Sequence, residues 1–340
     1  MPERKKNGKA TIQDVAAAAG VSVMTVSRSI RGVDGVSSQT RTRVRQIAKE
    51  MNYLPNSNAS ALVRSSSKLI GISIPTLFNE VFADMMMGMR RTFEQAGYSS
   101  VVDTTDYDRE REKRFLERLL AWQPAAIILT GTDQPNETAA LIKERNIPCL
   151  QIWDIAEKPI DLCVGIDHQK AGLALGRYLA GLGYRKPAFI GRPMGSDTRA
   201  DARFKSLETT FAEVGGAVPR RINVSSDNDF NLGAEGFGQI DWRDPPDLIC
   251  GLNDHVAVGI MFAAEKAGRS VPEDLGIAGF NALGITEVLP TRLTTMETPR
   301  RELGLVGARN LLARLNGVAP DPVTALPCRI VEGQTTRQMA

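Results

Sequence analysis

Two sets of side chains in this 340-residue chain have types and spacings suited to chemistry. The first set is cationic. Residues 1–68 hold twelve lysines and arginines, from Arg4, Lys5, Lys6 and Lys9 through Arg28, Arg31, Arg41, Arg43, Arg45 and Lys49 to Arg64 and Lys68, against only Glu3, Asp14, Asp34 and Glu50, a net of +8. The whole chain carries +3, so residues 69–340 carry −5. A basic arm joined to a mildly acidic body is the charge pattern of a polyanion-binding module attached to one with other work. The second set follows apolar runs in the body: Asn79 and Phe82, Trp153 and Asp154, Arg203 in "DARF", Asn253 and Asp254 in "LNDH", and Asn281 in "GFNA". Amides, carboxylates, a guanidinium and aromatic faces are the groups that hold small hydroxyl-rich ligands. Asn253 and Asp254 are equally suited to start a helix, because both types favour the N-cap.

Neither set has the makings of a reaction centre. Cys149, Cys163, Cys250 and Cys328 include no C-x-x-C pair, which indicates neither a zinc site nor a disulfide framework, and they are expected to be reduced. The only histidines, His168 and His255, join no metal-spaced or Ser/His/Asp pattern, and both read as loop or lobe-surface residues. No G-x-x-x-x-G-K-[ST] occurs, and "GAEGFG" at 233–238 lacks the strand-to-helix setting of a phosphate loop. The expectation is a non-enzyme without cofactor or metal. The first residues, "MPERKKNGK", lack the apolar core of a signal peptide, and no run of 18 apolar residues exists. A cytoplasmic protein with no membrane partner is therefore expected.

Three short helices position the cationic set. In "TIQDVAAAAGVSVMTVSRSIRG", residues 11–32, Ile12, Val15, Ala16 and Ala19 recur at helical spacing, Thr11 and Asp14 form a capping-box-like pair, and Gly20 ends the helix. Ser22 caps a second helix that turns Val26 and Ile30 inward and leaves Val23, Met24, Ser27 and Arg28 on another face. A third runs from Ser37 or Ser38 to Met51, burying Val44, Ile47, Ala48 and Met51 and leaving Arg41, Arg43, Arg45 and Lys49 near the surface. Pro55 in "YLPN" breaks it. "NSNASALVRSSS" beyond is too short to be a stable helix alone, and reads as a linker unless something orders it.

In the body, "LIGISIP", "SSVVDT", "AAIILTG", "IPCLQIW" and "LCVGID" alternate with helical stretches to Ala96, from Arg109 to Leu120 and through Arg145; "KPAFIG", "RRINV", "DLICGL" and "GIAGF" resume the rhythm. Such alternation predicts parallel sheets with helices on both faces, hence an α/β fold of two similar half-bodies.

"TIQDVAAAAGVSVMTVSRSIRG", followed by "TRTRVRQIAKEMNYLPNSNASALVR", resembles the headpiece and hinge of the LacI/GalR family of bacterial transcription regulators. "IPTLFNEVFADMMMGM", "GLNDHVAVG", "LGIAGFNALGITEVLPTRLTT" and "TPRRELGLVGARNLLARLNG" extend the resemblance over essentially the whole chain, with gluconate-utilisation repressors as the most similar subgroup. The resemblance implies a helix-turn-helix headpiece over 1–54, a hinge over 55–67 and a two-lobed, periplasmic-binding-protein-like effector and dimerisation domain over 68–333, with a return crossing near Leu289–Thr295.

It also implies roles. Val23, Met24 and Arg28 take base-reading positions; Arg28 can donate two bonds to guanine O6 and N7, whereas Val23 and Met24 offer apolar contact. Thr11, Thr25, Ser27 and Arg31 fall at backbone-contact positions, although Thr25 and Ser27 are equally suited to local capping. In the hinge, the segment matching Asn56–Arg64 orders on operator DNA, with Leu62 as a minor-groove wedge and Ala59 beside it; the alternative is a flexible tether. Asn79, Phe82, Trp153, Asp154, Arg203, Asn253, Asp254 and Asn281 match the effector-contacting loops. Many members read "GYDD" or "GFDD" where this chain has Phe280-Asn281-Ala282, a loss of two carboxylates that moves the expected ligand toward one carrying negative charge. The resemblance implies a repressor whose partners are double-stranded operator DNA, a sugar or sugar-acid effector such as gluconate, with a neutral or phosphorylated sugar as the alternative, and a second copy of the chain. A secreted sugar-binding protein would need a signal sequence, and a nicotinamide-dependent enzyme a phosphate loop. The C-terminus shows no leucine heptads, so a dimer without an added coil is expected.

Overall fold

The computed structural model describes residues 10–54, 67–77, 79–226 and 228–339. The chain separates into two compact units, residues 1–67 and 68–340. Of the hinge expected over 55–67, residues 55–66, Asn56, Ala59 and Leu62 among them, lie outside the described residues.

The first unit contains α1 (Ile12–Ala19), α2 (Val23–Arg31) and α3 (Ser38–Glu50). Each start is fixed locally. Thr11 and Asp14 close a reciprocal capping box, while Ser22 and Ser37 accept from the amides of Thr25 and Thr40. Gly20 and Gly32, both left-handed, stop α1 and α2. Val15, Ala16, Ala19, Val26, Val44 and Ala48 form the core, with Ile12, Ile30, Ile47 and Met51 packed around it. So small a core has little area to spare, and hydrogen bonds reinforce it. The arginines of α3 do not simply face water: Arg43 Nη2 donates to the Ala19 carbonyl at 2.7 Å, Arg45 Nε to the Ser29 carbonyl at 3.3 Å and Arg41 Nη2 to the Val33 carbonyl at 3.0 Å. Arg43 and Arg45 each satisfy a carbonyl in the last turn of α1 or α2, and Arg41 satisfies that of Val33 just beyond α2.

The second unit has two lobes. The first sheet has strand order β11-β5-β4-β3-β1-β2, all parallel: β1 (Leu69–Ile74), β2 (Ser99–Thr104), β3 (Ala126–Thr130), β4 (Cys149–Asp154), β5 (Leu162–Ile166) and the late β11 (Val323–Ala325). Its helices are α4 (Glu80–Gln95), α5 (Arg109–Leu120), α6 (Asn136–Glu144) and the late α11 (Arg300–Leu315). The second sheet, also parallel, has order β7-β6-β8-β9, from β6 (Pro187–Gly191), β7 (Arg220–Asn223), β8 (Leu248–Gly251) and β9 (Gly276–Ala278). Around it lie α7 (His168–Gly181), α8 (Thr198–Glu213), α9 (Asp229–Gly238) and α10 (Asp254–Lys266). β3, β4, β5, β6 and β8 are buried along their whole length, which explains why they read as continuous apolar runs.

Each lobe is discontinuous in sequence, as expected. The return crossing falls a little after Leu289–Thr295, because residues 294–297 still run beside the second lobe: Ala278 bridges Thr294 and Asn281 bridges Glu297. β10 (Thr295–Glu297) pairs antiparallel with β12 (Arg329–Val331), and the chain then returns to the second lobe, where Thr335 donates to the Ile277 carbonyl at 2.7 Å. The body thus continues past residue 333. α4 and α11 pack closely through Gly88 and Gly304; a Cβ on either would meet backbone oxygen of the other helix, Arg301 O at 2.3 Å or Met85 O at 2.0 Å.

The arginine staples give a test: Arg43→Ala removes a charge-assisted bond worth about 1–2 kcal/mol and opens the α1–α3 contact. Faster hydrogen exchange at the α1 amides, with body amides unchanged, is expected; unchanged α1 exchange would assign Arg43 to solvent.

Candidate functional site

On the first unit, α2 presents Val23, Met24 and Arg28 to solvent, with Met24 60% exposed although it is apolar. Thr25 is partly buried, its amide and hydroxyl both engaged by Ser22 Oγ at 3.1 and 2.9 Å, so it completes the cap. Thr11 likewise bonds Asp14. Arg31 is exposed and donates through Nε to the Ser27 carbonyl at 3.2 Å, which leaves its terminal nitrogens facing outward. An exposed face with Val23 and Met24 at the start of α2 and Arg28 in its last turn has the form of a surface that enters a major groove.

In the body, a cavity of about 790 Å³ opens between the lobes, at the carboxyl ends of both sheets' strands. Asparagine or aspartate side chains start the helices that follow: Asn79 caps α4, Asp108 α5, Asp167 α7, Asp197 α8, Asn228 α9 and Asn253 α10. Six of the expected residues line the cavity: Asn79, Phe82, Trp153, Arg203, Asn253 and Asn281. Asn253 combines both expected roles, accepting from the Val256 amide at 3.0 Å and donating Nδ2 to Asp229 at 2.7 Å on the cavity wall. The remaining two, Asp154 and Asp254, are not among the lining residues.

Asp254 is fully buried and holds the second lobe's loops, accepting from the Leu283 amide at 2.7 Å and Thr295 Oγ1 at 2.5 Å; burial pushes its pKa up to about 7. Asp154 lies beneath the wall. Arg199 Nε donates to both its oxygens at 2.8 and 3.0 Å, and His168 Nε2 stands 3.1 Å from Oδ1. Burial alone would raise the Asp154 pKa, but Arg199 and His168 together hold it down at about 2. His168 is thus not a surface residue but a buried link, and His255 is not an idle one either: it lines the cavity, its ring 4.7 Å from that of Phe230. Arg203 Nη1 lies 3.2 Å from His168 Nδ1, and because a guanidinium only donates, Nδ1 accepts and the Nε2–H faces Asp154. Burial depresses the His168 pKa, keeping the ring neutral.

Arg203 is the end of this chain of contacts on the second lobe's side of the cavity wall. It donates Nη2 to the Leu252 carbonyl at 2.9 Å and packs 4.2 Å above the Phe280 ring. Only 8% of it is exposed, and among the described residues it forms no ion pair with a carboxylate, whereas Arg192 pairs with Asp229 and Arg199 with Asp154. Burial lowers its pKa, marking a cation short of compensating charge. Sequence reasoning missed Arg192, Arg199, Asp229 and Tyr107, all cavity residues; Arg199 was findable, standing four residues before Arg203 on the same helical face. Among the described residues, four of the eight non-glycine positions with positive φ, Asp106, Tyr107, Trp153 and Asn281, line this cavity, so backbone strain is concentrated there.

Comparison with known proteins fits both surfaces. Residues 11–56 match the family described as bacterial regulatory proteins, lacI family, and residues 177–336 a periplasmic binding protein-like domain. The HTH-type transcriptional regulator GntR of Escherichia coli strain K12 is 32% identical over 319 residues, covering 93% of this chain and 95% of that protein. The chain belongs to the LacI family. This LacI-family transcriptional regulator superposes on the crystal structure of a LacI-family regulator from Silicibacter pomeroyi with a TM-score of 0.90 at 33% identity, covering 96% of this chain and all of that one. It also matches the lac repressor dimer bound to operator and the anti-inducer ONPF, with a TM-score of 0.81 at 25% identity and coverage of 97% and 99%. Among the described residues no helix is long and apolar enough to cross a membrane, and no group of three His, Cys, Asp or Glu side chains is placed to hold a metal ion.

Replacing Asp154 with asparagine leaves Arg199 buried without its counter-charge, a loss of about 3–5 kcal/mol. Because the folded-state pKa lies below the unfolded value, the aspartate's contribution is complete above about pH 4 and disappears as pH falls toward 2. Urea unfolding should therefore show a large difference between wild type and Asp154→Asn at pH 7 that shrinks on acidification; a constant difference would contradict the assigned pairing.

Proposed function

We propose that this regulator is a repressor of sugar-acid catabolism genes, released from its operator by an acidic sugar derivative such as gluconate. The observation that carries this reading is Arg203: a buried guanidinium on the cavity wall with hydrogen bonds but no carboxylate in ion-pair contact. A ligand carboxylate would supply the missing charge through paired, charge-assisted bonds, which are about twice as strong as neutral ones. Asn281, at a position where many family members carry a carboxylate, adds no repulsion. The aromatic walls Phe82 and Trp153 and the amides of Asn79 and Asn253 suit the apolar faces and hydroxyls of such a ligand. A neutral sugar is the second reading, because the amides and the Asp229 carboxylate serve hydroxyls without any acid.

On DNA, Arg28 reads guanine in each half of a near-palindromic operator, Val23 and Met24 make methyl contacts, and Thr11, Thr25, Ser27 and Arg31 face the backbone. Two copies bind together, with Asn56, Ala59 and Leu62 of each hinge at the centre of the site. Moving such a dimer from almost fully bound to almost fully released requires the effector to prefer one state by about 10⁴-fold, or roughly 5.5 kcal/mol.

Operator affinity measured against a panel of sugar acids and their neutral counterparts tests the effector. Gluconate-type acids are expected to lower affinity and raise the melting temperature; response to the neutral sugars alone would overturn the acid assignment. Arg28→Ala is expected to lose about 1–3 kcal/mol of discrimination at one operator position. Equal weakening on specific and random DNA would confine Arg28 to the backbone.

A further inference from the structure

Next to the effector cleft lies a smaller chamber of about 210 Å³. The two cavities share Tyr107, Ser196, Asp197 and Arg199, so the chamber is an annex partitioned off by these four side chains. Ser73, Thr105 and Thr130, at or beyond the carboxyl ends of β1, β2 and β3, contribute to its walls, and Glu112 reaches it from α5.

Glu112 is a poorly compensated carboxyl group for so buried a position. It is 5% exposed, on a helix whose other buried positions are Phe115, Leu116, Leu119 and Leu120. Its Oε1 has no hydrogen-bond partner, and its Oε2 stands 3.5 Å from Arg109 Nη1, a guanidinium already in contact with Asp133. Neighbouring charges are otherwise matched: Asp197 accepts from the Arg199 and Ala200 amides at 3.0 and 3.2 Å, and Arg199 holds Asp154. Burial pushes the Glu112 pKa up to about 7, against the smaller opposing effects of Arg109 and the Gln134 amide. A buried carboxyl oxygen left unbonded is destabilising, and its retention calls for a partner that arrives from outside. Two guanidiniums and two aspartates line the chamber beside Glu112, whose raised pKa lets it hold its proton near neutral pH, a balance that suits hydroxyl groups better than a second anion.

We propose that the chamber is a second compartment of the effector site, in which Glu112 binds the terminal hydroxyls of an elongated polyhydroxy acid whose carboxylate is held at Arg203. This rests on the acid-effector reading and narrows it: a ligand that occupies both compartments is an open-chain sugar acid rather than a compact ring. Glu112 is then a specificity residue that reads ligand length.

Calorimetric titration of the full-length protein with gluconate, glycerate and glucitol tests this. Glu112→Leu is expected to weaken gluconate at least tenfold, to leave glycerate, which is too short to reach the chamber, within twofold, and to leave the ligand-free melting temperature unchanged or higher. Glu112→Gln, which keeps an acceptor oxygen, is expected to stay within about threefold of wild type for gluconate, and Glu112→Met serves in place of the leucine variant if that one fails to fold. Gluconate binding that is equally tight in wild type and Glu112→Leu would overturn the compartment while leaving the acid reading intact. So would an equal loss for gluconate and glycerate, or an equal loss in the leucine and glutamine variants. Binding of glucitol but not gluconate to the wild type would instead overturn the acid reading and, with it, the proposal as stated; failure of all three to bind would overturn both.

Discussion

The Asp154 carboxylate, clasped by Arg199 and faced by His168, is the constraint on which the effector cleft depends. Asp154 ends β4 of the first lobe, while Arg199 sits in the first turn of α8 in the second, so this bond ties the two lobes together. At such separation and burial an ion pair is worth several times its value in water, and it cannot be stretched without leaving both charges poorly solvated. Its surroundings are shaped to keep it. Gly131, at φ +89°, has no side chain where a Cβ would come within 2.7 Å of Arg199 Nη2 and 3.2 Å of Asp154 Oδ2. The aromatic series Phe82, Trp153, His168 and Phe280 follows the same path, with ring centroids 5.6 to 6.3 Å apart. Arg199 also lines the cavity beside Arg203, so the bond that ties the two lobes borders the cleft itself.

Cationic residues serve two ends in the first unit. Arg41, Arg43 and Arg45 hold open carbonyls near the ends of α1 and α2, yet each keeps its full charge, because bonding to a carbonyl neutralises nothing. The same guanidiniums that fasten three short helices into one body therefore still contribute to the positive field that draws a polyanion. A core this small benefits from fastenings that simultaneously serve binding.

Much of this architecture was legible in the sequence because its causes are local. The capping residues Thr11, Ser22 and Ser37 act within three residues of themselves, and strands covered on both faces are apolar throughout, so neither needs tertiary knowledge to be read. The charged helix from Arg109 to Leu120 was equally visible, but Glu112 within "REREKRFLERLL" looked like one more solvated charge; only the fold turns it inward. His168 reads as a surface residue for the same reason: its partners Asp154 and Arg203 are 14 and 35 residues away in sequence and are brought to it only by tertiary packing. "GAEGFG" found its meaning in packing. Gly233 lies where a Cβ would strike Val256 O at 2.1 Å and Gly236 where one would strike Ile190 Cγ2 at 2.4 Å, so these two glycines serve the packing of α9 against α10 and β6.

The two aspartates that sequence placed in the cleft illustrate why residue type alone cannot separate ligand contact from scaffold. Asp254 follows Asn253 directly, yet the helix start sends the two side chains opposite ways: Asn253 toward the cavity, Asp254 into the second lobe, where the Leu283 amide and Thr295 hydroxyl take its oxygens. Burying a carboxyl group there is tolerable only because it fastens three segments at once, α10, the loop after β9 and the return strand β10. Asn281, whose side chain lies at the cavity, is fixed by that same loop. The scaffold therefore keeps the carboxyl group it needs at Asp254 and has an amide at Asn281, and that division of polar groups leaves Arg203 at the cleft without a carboxylate partner among the described residues.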